Sequence, residues 1–188
     1  MSGTATIHEA QLTPSKLELL AQWLPSQPWF TGDAGDLERV ASFRFVDPDG
    51  EVGIETMIVR SGGVVYHVPL TYRDEALDGE DAYLVGTTDH SVLGKRWVYD
   101  ATGDPVYVAE LIRVIHEGDN EADLSRGEKS MTVVGSGITL VSNASMEAAR
   151  LVRVLDGEHI HTAVPLGTLT GTWTEDGAER TEVLATIR

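Results

Sequence analysis

Apolar and polar positions recur along this chain with two different periods, and the periods predict its elements. Leu17, Leu20, Ala21 and Leu24 fall at helical spacing, and Leu19 and Trp23 widen the same face, the pattern of an amphipathic helix lying on a sheet. Thr13-Pro14 stands before them. A threonine there can accept a backbone N–H as N-cap, and proline fits the first helical position, so the helix is expected to open at that pair. Pro25 and Pro28 end it, since proline removes a donor and clashes with the preceding turn. Three period-2 runs follow: Ala41, Phe43, Phe45; then Val52, Ile54, Thr56, Ile58; then Val64, Tyr66, Val68, Leu70, Tyr72. Asp47-Pro48-Asp49-Gly50 and Ser61-Gly62-Gly63 separate them with turn chemistry, which predicts an antiparallel meander. Two shorter strands are expected at Tyr83–Gly86 and Arg96–Tyr99.

Asp104-Pro105 begins a second predicted helix with the stripe Val108, Leu111, Ile112, Ile115, and Gly118 is placed to end it. Leu20, Trp23, Val68, Leu70, Leu111 and Ile112 are therefore the expected core, where helices meet the sheet. Residues 117–129 are almost free of apolar side chains and read as a solvated acidic loop. β patterning then resumes at Met131–Val134, Ile138–Val141, Ala149–Leu155, His159–Val164, Leu169–Trp173 and Glu182–Ile187. The expected fold class is α+β, an antiparallel meander packed on amphipathic helices. Residues 1–118 form the helix-and-meander part, 119–129 an acidic loop or linker, and 130–188 a β-rich part that is either separate or completes the first sheet.

Charge narrows the functional classes. The 188 residues carry 30 Asp and Glu against 14 Lys and Arg, a formal net charge of −16. No basic surface is available to displace counterions from nucleic acid or to dock on an anionic membrane. With 41% hydrophobic residues the chain can build a core. It has no cysteine, so disulfides, thiolate metal sites and cysteine nucleophiles are excluded. Met1-Ser-Gly-Thr-Ala-Thr-Ile-His8 has neither the basic nor the apolar region of a signal peptide, and a cytoplasmic location is the expectation. Only three lysines, Lys16, Lys95 and Lys129, occur, a bias that suggests a GC-rich genome.

Four motifs in order carry a family likeness: Gln27-Pro-Trp-Phe-Thr-Gly32, Val68-Pro-Leu-Thr-Tyr-Arg73, His90-Ser-Val-Leu-Gly-Lys-Arg-Trp-Val-Tyr-Asp100 and Asp104-Pro105. Together they resemble the N-terminal cap domain of actinobacterial maltokinases and of stand-alone relatives sometimes labelled glucan-branching proteins. The resemblance spans roughly residues 12–116 and implies a cystatin-like topology, a curved antiparallel sheet wrapped on a helix. It does not extend to a kinase. Phosphoryl transfer needs a nucleotide-cradling lysine, a catalytic-loop aspartate and a metal-binding aspartate, and the chain has no His-x-Asp and no Asp-Phe-Gly.

Other constellations have plain structural readings beside the chemical ones. Asp89-His90-Ser91 has the residue types of a nucleophilic triad, but sequence neighbours rarely converge as a triad must, and a turn is expected. His159 and His161, with Glu158 or Glu182 near, could bind a transition metal; without a third ligand they read as a polar strand face. Asp119, Glu121 and Asp123 lack the calcium-loop offsets and read as solvated charge. Tyr72, Arg73, His90, Arg96 and Trp97 are the candidate ligand- or partner-binding residues, since aromatic faces stack on sugars and arginine binds oxyanions. The structural alternative is that Arg73 and Arg96 pair with carboxylates of the chain, Asp89 and Asp100 being nearest in sequence.

These observations lead to an expected non-catalytic regulatory or protein-interaction module, tied by resemblance to α-glucan, maltose or trehalose metabolism. The alternatives are a sugar or sugar-phosphate binder and a small hydrolase. No cofactor and no metal are expected. The partner is a protein or a small sugar, with a homo-oligomer left open.

Overall fold

Ser15 caps the first helix and explains where it starts. Its hydroxyl accepts from Glu18 N, and the Glu18 carboxylate accepts from Ser15 N at 2.7 Å, the reciprocal box that satisfies two orphan donors. The start therefore differs from the Thr13-Pro14 expectation: Thr13 is committed to a strand partner, Asp89, and Pro14 precedes the cap. This computed structural model describes residues 3–138, 149–156 and 164–188. In chain order its elements are β1 (Thr4–Ala5), β2 (Leu12–Thr13), α1 (Lys16–Trp23), β3 (Glu38–Val46), β4 (Gly53–Ser61), β5 (Val64–Arg73), β6 (Leu84–His90), β7 (Gly94–Asp100), α2 (Pro105–Glu117), β8 (Asp123–Leu124), β9 (Met131–Gly135), β10 (Ala149–Leu151), β11 (Val154–Leu155), β12 (Gly167–Glu175) and β13 (Ala178–Ile187).

The fold is α+β, built on a strongly curled antiparallel sheet. Its strand order is β2-β6-β7-β5-β4-β3, with β3, β4 and β5 as the meander that period 2 predicted. One side of β5 is shared. Leu70 to Arg73 pair with β7, whereas Val65 and Tyr66 pair with β11. Behind this sheet lies a second, ordered β10-β13-β12-β9, and β1 pairs with β8 in parallel.

Side-chain alternation gives the main sheet two buried faces. On one, Met57, Val59, Tyr66, Val68 and Leu70 pack with Leu19, Leu20, Trp23 and Leu24 of the first helical segment. On the other, Phe43, Phe45, Ile54, Ile58 and Val65 join Tyr107, Leu111, Val114 and Ile115 of α2 and Met131, Leu169, Trp173 and Leu184 of the second sheet. Of the expected core, Leu20, Trp23, Val68, Leu70 and Leu111 are buried, whereas Ile112 is only partly so. α2 begins at its Asp104 cap and ends on Gly118, whose φ of 68° is the left-handed conformation glycine adopts without penalty. The strand β9 then leaves so close to α2 that a Cβ on Gly135 would stand 2.7 Å from the Val114 carbonyl carbon and 2.8 Å from Ile115 Cα, closer than any side chain allows.

The acidic stretch departs from its expected solvated state. Asp119 and Glu121 are buried. Arg113 reaches Asp119 at 2.8 Å, and Glu121 accepts from Lys129 at 3.0 Å and from Val133 N at 2.7 Å. Carboxylates enter the interior when cations and backbone donors meet them there. The strands expected at 138–141 and 159–164, and the His159/His161 pair, fall largely or wholly outside the described residues; Glu182, the possible third ligand, pairs with Arg180 at 3.1 Å.

Candidate functional site

Period 2 places the candidate site on the α1 face of the main sheet. Arg44 on β3 and Glu55 on β4 are cross-strand partners, and Tyr72 on β5 pairs with Gly53, so all three side chains leave the sheet on the same side as Met57 and Val68. There they meet Lys16 at the start of α1. Around this group a cleft of about 970 Å³ opens between β1, the β3–β4 turn and the β6–β7 hairpin, and its walls include His8, His90 and Arg96.

Glu55 is the charged centre. Its side chain is 4% exposed, and one oxygen, Oε2, accepts from Lys16 Nζ and from the Tyr72 hydroxyl at 3.1 Å and forms an ion pair with Arg44 Nη2 at 3.2 Å. Burial opposes its ionisation, but Arg44 and Lys16 outweigh that and hold the carboxyl below its ordinary range. Burial also pulls Lys16 down, opposed by Glu55, and raises the Tyr72 phenol well above its usual value, with Glu55 adding to the effect. The resting arrangement is an ionised Lys16–Glu55–Arg44 cluster beside a neutral phenol. Glu55 is thus a clamped acceptor, poorly suited to act as a general base, which needs a free lone pair and a pKa near the working pH.

The five candidate residues separate. Tyr72, His90 and Arg96 line the cleft. Arg73 and Trp97 face each other across β5 and β7 and are not among its lining. Arg73 is a structural residue, bidentate to Asp104 at 2.7 and 2.8 Å, and Asp104 is fully buried. An internal carboxylate does hold it, but the partner is Asp104 and not Asp89 or Asp100. Asp100 instead binds Arg153 at 2.6 Å, and Lys95 sits 4.6 Å from the Trp97 ring centroid. Arg96 departs from expectation altogether. Its Nη2 donates to the Leu93 carbonyl at 2.6 Å, and among the described residues it makes no ion pair and its buried Nε has no acceptor.

Asp89-His90-Ser91 closes a turn, as expected. His90 Nδ1 accepts from Val92 N at 3.2 Å and Leu93 N at 3.0 Å, and Ser91 exchanges hydrogen bonds with Gln11. Burial lowers the His90 pKa, and His8, Arg96 and Lys16 lower it further. Sequence reading did not single out Lys16, Arg44 and Glu55. A signal existed: Glu55 is a charged residue inside an apolar strand, at positions alternating with Ile54 and Thr56, and such a residue requires partners on its face.

Among the described residues, no group of three or more His, Asp or Glu side chains is placed to hold a metal ion, and no helix is long and apolar enough to cross a membrane. Residues 23–104 match the model of the maltokinase N-terminal cap domain family. The matched segment runs from the last residue of α1 to the cap of α2, and includes Arg44, Glu55, Tyr72, His90 and Arg96 but not Lys16. No curated protein matches the chain.

Proposed function

We propose, because residues 23–104 match the model of the maltokinase N-terminal cap domain family, that this chain is a non-catalytic module that docks on or regulates a protein partner, in the context of α-glucan, maltose or trehalose metabolism. The cap match is the observation that carries this reading. The arrangement of titratable groups supports it. Glu55 is clamped by two cations, Asp104 is consumed by Arg73, and the buried His67 is held neutral with its pKa near 3, so the buried acids and base are committed to structure. An exposed apolar tip, Val92–Leu93 at the β6–β7 turn, supplies a surface of the kind interfaces bury. The test is stoichiometric co-elution of the purified chain with an α-glucan- or trehalose-processing enzyme of the same genome, lost in Val92→Asp/Leu93→Asp. ATP-dependent phosphorylation of maltose by the purified chain refutes the non-catalytic reading.

A second reading, a sugar or sugar-phosphate ligand, draws on the convergence of Tyr72, His90 and Arg96 on one cleft. It shares Leu93 of the hairpin tip with the first, since that residue also lines the cleft.

A further inference from the structure

We propose that the floor of the cleft is an oxyanion site, which takes the single phosphate or carboxylate group of a small, otherwise uncharged ligand between Arg96, Lys16 and Arg44. This deepens the second reading above by assigning the ligand's chemistry.

The chain carries −16, and five carboxylates line the cleft, but they are not equally placed. Asp47 is taken up by the backbone N–H groups of Asp49, Glu51 and Val52, and Glu51, Asp74 and Glu75 are exposed, which leaves Glu55 as the carboxylate in contact with Lys16 and Arg44. Around Lys16, Arg44 and Arg39 oppose the one carboxylate, Glu55. Lys16 and Arg44 share a single oxygen of Glu55, so one positive charge of that trio is left over. Arg96 adds a second, because among the described residues its partner is a carbonyl and not a carboxylate. Elsewhere Arg60, Arg73, Arg113, Arg153 and Arg180 each have a carboxylate within 3.3 Å. With acidic residues twice as numerous as basic ones, cations left unmatched side by side are a costly arrangement that an incoming anion relieves.

The surroundings define the ligand. Guanidinium and ammonium groups both donate charge-assisted hydrogen bonds to oxyanions. Exposed Glu51, Asp74 and Glu75 also line the cleft and repel additional negative charge, which disfavours nucleoside di- and triphosphates. A volume of about 970 Å³ accommodates a body of sugar or disaccharide size, at the upper end for small-molecule sites. Tyr72, with its phenol held neutral by burial and Glu55, offers that body a ring edge.

Calorimetric titration of the full chain with inorganic phosphate, acetate, glucose 6-phosphate and maltose tests the proposal. Phosphate or acetate should saturate, and the His90 ring resonances should shift on binding. Arg96→Gln should weaken that binding at least about tenfold, the loss of one charge-assisted contact, while its thermal midpoint stays unchanged because no ion pair is broken. Arg150→Gln, an exposed arginine on β10, should bind as the parent does. Glucose 6-phosphate stronger than phosphate shows that the sugar body adds contacts and supports the proposal. No saturable binding of either simple anion, or equal affinity in Arg96→Gln, overturns it. Maltose binding without anion binding discards the oxyanion site and keeps a sugar ligand; binding of none of the four discards both.

Discussion

His67 offers a quantitative test of the fold through its proton. It lies on β5, fully buried, with its backbone N–H donating to Arg153 O at 2.9 Å and Nδ1 3.1 Å from Val152 O. Both acceptors belong to the segment that carries β11. In the neutral ring Nδ1–H donates to Val152 O; the backbone carbonyls of Val152 and Leu184 favour a second proton, but burial outweighs them. Burial, and then the Arg153 charge, depress its pKa from 6.5 to about 3. The unfolded chain takes up a proton near 6.5 and the folded chain only near 3. Hence the stability due to this depression is present above pH 6.5 and is lost as pH falls from 6.5 toward 3. Between pH 7 and pH 5 the single proton is worth about 2 kcal/mol, and the full depression about 5 kcal/mol.

Replacing His67 by Gln keeps a donor for Val152 O and removes the titration. Urea unfolding of both proteins at pH 7, 6 and 5 should show the parent losing about 2 kcal/mol more than His67→Gln over that range. Other histidines and the carboxylates titrate alike in both proteins and cancel in the comparison. Parallel stability curves would refute the argument, since they mean that the folded protein protonates His67 as readily as the unfolded chain. The parent alone gives a second reading: the His67 ring resonances should not titrate between pH 7 and pH 5.

Leu111→Ala should cost roughly 2–5 kcal/mol in chemical denaturation, because Leu111 is 1% exposed where α2 meets both sheets; a change near zero would mean the helix contributes no core. Arg73→Ala leaves Asp104 buried without its counter-ion and should cost about 3 kcal/mol, whereas Arg73→Ala/Asp104→Asn should recover part of the loss; additive losses would deny the pairing. Far-ultraviolet circular dichroism and tryptophan fluorescence should report one coincident unfolding transition, since one hydrophobic cluster unites residues 41–65, α2 and the C-terminal strands; two separated transitions would make residues 130–188 an independent unit.

Elements set by local chemistry were legible. Asp104-Pro105 and Gly118 bracket α2 because a cap, a pre-set φ and a left-handed stop act within a turn of themselves. At α1 the cues competed: Thr13, Pro14 and Ser15 are consecutive cap-type residues, and Glu18 three positions after Ser15 was the deciding signal. What depended on the tertiary fold was not legible. Asp119 and Glu121 looked solvated because Arg113 and Lys129, which neutralise them, are on their side only once α2 and β9 have packed. Arg73 was correctly expected to find a carboxylate, but the nearest in sequence lost to Asp104, which the α2 cap brings beneath it.

The same reasoning explains why the candidate site was half seen. Tyr72, His90 and Arg96 stand in motifs and were noticed as residue types, whereas Lys16, Arg44 and Glu55 stand in ordinary strand and helix positions. Their significance is a property of the sheet. Arg44 and Glu55 oppose each other in register, so the period that buries Phe43 and Phe45 on one face sends the charges to the other. A sheet buried on both faces has no solvent face for such residues, and they collect at its rim, where α1 begins and the cleft opens. There Lys16 and Arg44 share one buried carboxylate, Glu55, while the other buried carboxylate of the cleft, Asp47, is taken up by backbone N–H groups. Had the cleft arginines served only to neutralise an acidic chain, Arg96 would have been drawn to one of the many carboxylates, as Arg60 and Arg113 were, each of which holds three. Under the proposed oxyanion site, its lack of a carboxylate among the described residues, beside a pair that shares one, is what a residue kept for an external anion would show.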